Sequence, residues 1–169
     1  MNSSSKVLFV ATEANPLAKA GGLGDVVGSL PQALRQAGHD VRITIPRYRS
    51  INLESYQTIN QGNFTIPFMG RQEEINIIQV LLKDVVPVYL LENQRYFNRS
   101  VIYGENDDLE RFLLFSMAAM EVPKKLNWRP DILHCHDWHA GAVAPLLKIA
   151  HRNDAFYSSC ASIFTIHNL

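Results

Sequence analysis

The chain has 169 residues, 47% of them hydrophobic, enough to bury one compact core and short of what two domains need. Sixteen basic residues balance sixteen acidic ones, so no field argues for nucleic acid or an anionic membrane as partner, and no apolar run approaches a membrane span. The hydrophobic stretch after Lys6 ends at Glu13 and is too short for a secretory signal, so the cytoplasm, or a plastid once a transit peptide is removed, is the expected compartment.

Residues 6–12 (KVLFVAT) are an apolar run of the kind buried on both faces of a parallel sheet, and are expected as the first strand. Gly21, Gly22 and Gly24 follow, then residues 25–36, where Val26, Val27, Leu30, Ala33, Leu34 and Ala37 recur at helical spacing and Gly38 is placed to end the helix. A second strand at 41–45 completes a βαβ unit, whose right-handed crossover sets its loops at the carboxyl edge of the sheet, where ligands bind. Residues 64–68, 75–82 and 85–91 read as three strands, with a turn at Met69, Gly70 and Arg71, forming a β-rich insertion or meander. Asp107 and Glu110 resemble a capping box for a helix whose apolar face is Leu109, Phe112, Leu113, Met117 and Met120, and which Pro123 should end or kink.

Residues 132–135 read as a strand, 140–150 as a helix containing Pro145, and 161–166 as a last strand. The fold class is α/β: a Rossmann-like, mostly parallel sheet flanked by helices, with the β-rich insertion, as one domain over 1–169. The polar residues 1–5 are expected as a frayed start. Cys135 and Cys160 lie in apolar, strand-like surroundings and are expected as buried thiols of a reducing compartment, with no disulfide framework.

Three segments can carry chemistry. Lys19 with Gly21, Gly22 and Gly24 sets a cation and free backbone N–H groups at a strand-to-helix junction, where the helix dipole attracts an anion such as a phosphate. The same glycines also serve a plain tight turn, and Lys19 tips the balance. A dinucleotide fingerprint fails on its third glycine and on the missing acid after the second strand, and a P-loop fails because Lys19 precedes the glycines. The second segment is His134 to Gly141, at a strand's carboxyl end. His134, His136 and His139 with Asp137 have the composition of a metal site, yet Trp138 stands where binuclear hydrolases need an acid. Asp137, Trp138 and His139 equally supply the carboxylate, aromatic face and imidazole of a sugar site. The third segment is Thr165 to Leu169, with His167 and Asn168 at another strand end.

Taken in order, Lys19-x-Gly21-Gly22-Leu23-x-Asp25-Val26, His136-Asp137-Trp138-His139 and Thr165-Ile166-His167-Asn168-Leu169 resemble the bacterial glycogen synthase and plant starch synthase family of retaining glycosyltransferases. Residues 7–46, with the run Gly38 to Val41, resemble that family's opening. The resemblance implies the N-terminal half of a two-lobe GT-B enzyme. Its missing C-terminal lobe would bind most of the nucleotide, and this half alone would be inactive. The implied reaction moves glucose from ADP-glucose, or UDP-glucose, to the 4-hydroxyl at the non-reducing end of an α-1,4-glucan, with no cofactor and no metal.

By the same resemblance Lys19, Gly21 and Gly22 meet the donor phosphate and Asp25 positions the donor glucose. His167 and Asp137 take catalytic roles, with Asp137 and His139 on the acceptor side, and Trp138 and Tyr96 complete the acceptor contacts. Two other readings remain open: a non-catalytic module that binds sugar or nucleotide, and a metal-dependent hydrolase built on His134, His136 and His139.

Overall fold

The computed structural model describes residues 4–168, so residues 1–3 of the expected frayed start and Leu169 of the last motif lie outside it. Ser5, the end of that start, is held in place: its N–H donates to Nδ1 of His39 at 3.2 Å and its carbonyl accepts from Asp40.

The strands are β1 (Lys6–Val10), β2 (Asp40–Pro46), β3 (Ile59–Phe68), β4 (Arg71–Leu82), β5 (Val86–Glu92), β6 (Ile132–His136) and β7 (Ala161–Thr165). The helices are α1 (Gly22–Gln36), α2 (Asp108–Lys125) and α3 (Val143–Ile149), with a single 3-10 turn at Trp138–Ala140. All seven strands form one sheet in the order β3-β4-β5-β2-β1-β6-β7. The pairs from β5 across to β7 are parallel, while β4 runs antiparallel to both β3 and β5. The expected meander is therefore an extension of the main sheet, because β5 returns alongside β2. At the β3–β4 turn both Met69 (φ 48°) and Gly70 (φ 75°) adopt left-handed conformations, as a tight hairpin twisted with its strands requires.

Alternation along β1 explains why the centre of the sheet is dry on both faces. Val7 and Phe9 point to the α1 side, where they pack with Val27, Ile43 and Leu90. Leu8 and Val10 point to the other side, where Leu114, Phe115 and Leu133 meet them under α2 and α3.

Several local expectations change. α1 begins at Gly22, three residues early, because the glycine loop itself makes the first turn. Gly38, at φ 98°, closes the helix through its N–H to the Arg35 carbonyl. α2 runs through Pro123 to Lys125 without stopping there, since a proline two residues from the end removes a single N–H; Asn127, at φ 48°, closes it. Its buried face carries Phe112, Leu114, Phe115, Ala118, Ala119 and Met120, while Leu109 and Leu113 are exposed. No capping box forms: Asp107 bonds Arg99 at 2.6 Å, and the neighbouring Asp108 accepts from the Gly104 N–H and pairs with the buried Arg111. The helix expected at 140–150 is divided into the 3-10 turn and α3. Both cysteines are free thiols, Cys135 fully buried and Cys160 partly so, and burial raises them to about 12 and about 11.

Candidate active site

Four segments meet at the carboxyl edge of the parallel strands: the loop after β1, the segment between β5 and α2, the turn after β6 and the end of β7. They enclose a cleft of about 670 Å³. Gly21 and Gly22 line one wall and Asp137, Trp138, His139 and His167 the opposite one, so residues separated by more than a hundred positions share one space.

Gly21 is the N-cap of α1, and no side chain caps the helix. The N–H groups of the first turn have no intrahelical acceptor, so the Gly22 end of the helix presents a partial positive charge to the cleft. The loop is not wholly open, however. The buried carboxylate of Glu13 accepts from the N–H of Ala20 at 2.6 Å and of Gly21 at 2.9 Å, through Oε2. Through Oε1 it accepts from the Tyr103 hydroxyl at 2.7 Å, whose oxygen in turn lies 2.7 Å from the Thr12 hydroxyl. The Gly21 N–H, one of the backbone donors expected for an anion, is thus already engaged by Glu13, together with that of Ala20. Glu13 and Tyr103 both line the cleft and neither stood out in the sequence. The only trace of Glu13 was an acid ending an apolar strand.

Lys19 and Asp25 bind each other, Nζ to Oδ1 at 2.7 Å, on the rim of the loop, and both are about half exposed. This contact with Lys19 is the main cause that lowers the Asp25 carboxyl, with Asn15 adding a 3.0 Å hydrogen bond. Lys19 faces a neighbouring depression shared with Tyr103. Neither Lys19 nor Asp25 lines the main cleft in this structure.

On the opposite wall Asp137 holds φ 57° and ψ 176°, a backbone conformation that a non-glycine residue keeps only when its surroundings enforce it. The enforcement is visible: its N–H donates to the Thr165 carbonyl at 2.9 Å, and its carboxylate accepts from the N–H of His167 at 2.6 Å. Asp137 therefore splices the end of β6 to the end of β7 and fixes the His167 backbone. Trp138 leaves its indole 55% exposed at the cleft, with its ring edge-on to Phe112, so it is available to a sugar face and does not fill the core. His139 is buried, its ring stacked on Tyr103 at 4.4 Å, and Nδ1 has no partner; burial lowers it to about 4, so it is neutral at physiological pH.

The alternation expected for His134 and His136 holds: their rings lie 4.1 Å apart, both against Phe9. They do not face His139. Nε2 of His134 bonds the Thr165 hydroxyl at 2.8 Å, and Nδ1 of His136 is 2.9 Å from Nε2 of His167, a hydrogen-bond separation. Among the described residues no three His, Cys, Asp or Glu side chains form a group that could hold a metal. Tyr96 is not brought to the site either. It is buried in the core with its ring edge-on to Phe68 and its carbonyl accepting from Arg111, while Tyr103, later in the same segment, lines the cleft.

The fold and the position of the cleft define a class: doubly wound α/β proteins that take ligands at the carboxyl edge of the sheet. A family model described as "Starch synthase catalytic domain" matches residues 6–169. A glycogen synthase of Clostridium botulinum (strain Alaska E43 / Type E3) is 42% identical over 166 residues, 97% of this chain and 34% of its own length. One from Moorella thermoacetica is 42% identical over 171 residues, 100% of this chain and 34% of its own. The solved catalytic domain of starch synthase IV from Arabidopsis thaliana, bound to ADP and acarbose, superposes with a TM-score of 0.91 at 36% identity, covering 98% of this chain and 34% of that one. The chain belongs to the starch synthase catalytic domain family, and it spans about a third of the length of these relatives.

Proposed function

We propose that this chain is the acceptor-side lobe of a glycogen or starch synthase that transfers glucose from ADP-glucose to the non-reducing end of an α-1,4-glucan, keeping the α configuration. The observation that carries the reading is the convergence of the α1 N-terminus with Asp137, Trp138, His139 and His167 in one cleft. A second lobe, in the part of the relatives' length that this chain does not span, closes that cleft over the donor. That the Arabidopsis relative is bound to ADP and acarbose supports a nucleotide and a saccharide as the ligands.

In this reading the N–H groups of Gly22 and Leu23 receive the donor diphosphate, and Lys19 leaves its exposed pair with Asp25 to join them. Such an exposed ion pair is screened by water and contributes little, so the exchange is easy. Asp25, once released, is free to hold a hydroxyl of the donor glucose. His167 donates to the reacting sugar, Asp137 holds His167 in place, and Trp138, His139 and Tyr103 form the glucan side. The acceptor oxygen bonds to C1 while ADP departs with the electrons of the broken C1–O bond and the hydroxyl proton is released. ADP is already a good leaving group, so cationic stabilisation by Lys19 and the helix N-terminus leads, in place of a strong protein acid. The free thiols of Cys135 and Cys160 and the neutral charge balance fit a cytoplasmic or plastidial setting.

Glucose incorporation into glycogen by the full-length protein, with ADP-glucose or UDP-glucose offered separately, tests the reading. Activity with ADP-glucose, a fall of about 100-fold or more in Lys19→Ala, and silence of the 169-residue chain are expected. No polymer from either donor sinks the catalytic reading and leaves a sugar- or nucleotide-binding module.

A further inference from the structure

His136 is fully buried one layer behind the cleft, packed flat on Phe9 at 5.0 Å. A leucine at that place would fill the space without bringing a buried polar atom of its own. The imidazole instead keeps Nε2 without any partner, a defect that calls for a compensating role. Its other nitrogen supplies one, since Nδ1 lies 2.9 Å from Nε2 of His167.

His134, whose ring lies 4.1 Å away, does not take part in that bond, since its Nε2 is occupied by the Thr165 hydroxyl. Burial first, and the two neighbouring imidazoles second, bring His136 down to about 3, so at neutral pH it carries one N–H only. Were that proton on Nε2, it would be a buried donor with no acceptor, the rarer and costlier defect. On Nδ1 it has an acceptor in His167, and only a lone pair is left unpaired.

We propose that His136 is a positioning residue for His167: its Nδ1–H donates to Nε2 of His167 and holds that ring as the Nδ1–H tautomer. With Nε2 engaged, the His167 ring cannot turn without breaking this bond, and its Nδ1–H, which meets no acceptor among the described residues, remains for a ligand in the cleft. His167 is thereby clamped twice, at its backbone N–H by Asp137 and at its ring by His136. That the ligand is the reacting sugar rests on the synthase reading; the tautomer does not.

The first test is made on the unsubstituted full-length protein labelled with 15N-histidine. Long-range 1H–15N correlations separate protonated from bare ring nitrogens, and a His167→Gln sample identifies the His167 signals. His167 protonated at Nδ1 and bare at Nε2, with His136 likewise, is the expected result. His167 protonated at Nε2 overturns the proposal, whether or not the protein transfers glucose.

Kinetics supply the second test. His136→Leu is expected to lower kcat by about 10-fold or more while KM for nucleotide-sugar and glucan stays within about twofold, because the loss lies in orientation and not in binding. His136→Asn, whose side-chain amide places an N–H near the position of Nδ1, should recover most of kcat. An unchanged kcat in His136→Leu, or equal losses in the two variants, overturns the proposal. If His136→Leu does not fold, the spectra of the unsubstituted protein decide alone. If the full-length protein transfers no glucose from either donor, the synthase reading fails and the same spectra still decide the role of His136.

Discussion

His136 and His139 link the site to the stability of the fold. Both are buried imidazoles held neutral, at about 3 and about 4 against an ordinary 6.5, with burial the first cause in each. A group whose folded value is depressed takes up its proton in the unfolded chain first, so the stability it contributes is complete above about pH 6.5 and falls as the pH drops toward 4 and then 3. At pH 5 the deficit is roughly 2 kcal/mol for each group, at about 1.4 kcal/mol per pH unit. The melting temperature of the full-length protein, followed by circular dichroism, should therefore fall between pH 7 and pH 5 by on the order of 10 °C in the transition of this lobe. His139→Gln, which has nothing to titrate there, should shrink that difference. A melting temperature independent of pH over this range contradicts the neutral, buried assignment.

Within the elements, the packing of α1 on the loop after β1 sets the distance between the helix N-terminus and the opposite wall. Gly28 is the tightest point: a Cβ there would stand 2.4 Å from the Asn15 carbonyl oxygen, which is backbone and cannot swing aside. Gly28→Ala should push α1 away from the sheet, destabilise the protein by roughly 1–3 kcal/mol and weaken nucleotide-sugar binding together with stability. Urea unfolding alongside KM measurements checks both; a variant with wild-type values for each would show that the helix yields without cost. This close approach was not legible in the sequence, where Gly28 figured only as a glycine that misses the dinucleotide fingerprint. The elements that were legible are those dominated by local pattern: β1 as an apolar run, and α1 by its helical spacing and the Gly38 stop, although its buried side is Leu23, Gly24, Val27, Gly28 and Pro31 while Leu30, Ala33 and Ala37 are exposed. The buried face of α2 was legible in part: Phe112 and Met120 are buried and Met117 packs on the core, but Leu109 and Leu113 fit helical periodicity as well as Leu114, Phe115 and Ala118 and are exposed. Only the position of the sheet decides between them.

For the whole molecule, the sheet order explains which parts of the site could be anticipated. Loops at the carboxyl ends of parallel strands converge by topology, so the sequence alone groups Gly21, Asp137 and His167. Glu13 and Tyr103 could not be. Their role depends on a hydrogen bond spanning 90 residues, and no spacing rule reaches that far. Tyr96 was expected at the site by resemblance alone, and no local pattern in that irregular segment pointed to Tyr103.

The antiparallel hairpin β3–β4 lies at the opposite end of the sheet from β6 and β7. Its turn is solvent-facing, with Met69 66% exposed and an added Cβ on Gly70 meeting nothing within 4 Å. This makes the turn a natural handle. A short Gly/Ser-flanked epitope inserted between Met69 and Gly70 should leave glucose incorporation within about twofold of the unmodified protein, because exposed turn tips tolerate insertion. The turn shares the carboxyl edge with the cleft but stands at the β3 margin, several strands away from β6 and β7, so a fluorophore carried there would report on the lobe as a rigid body.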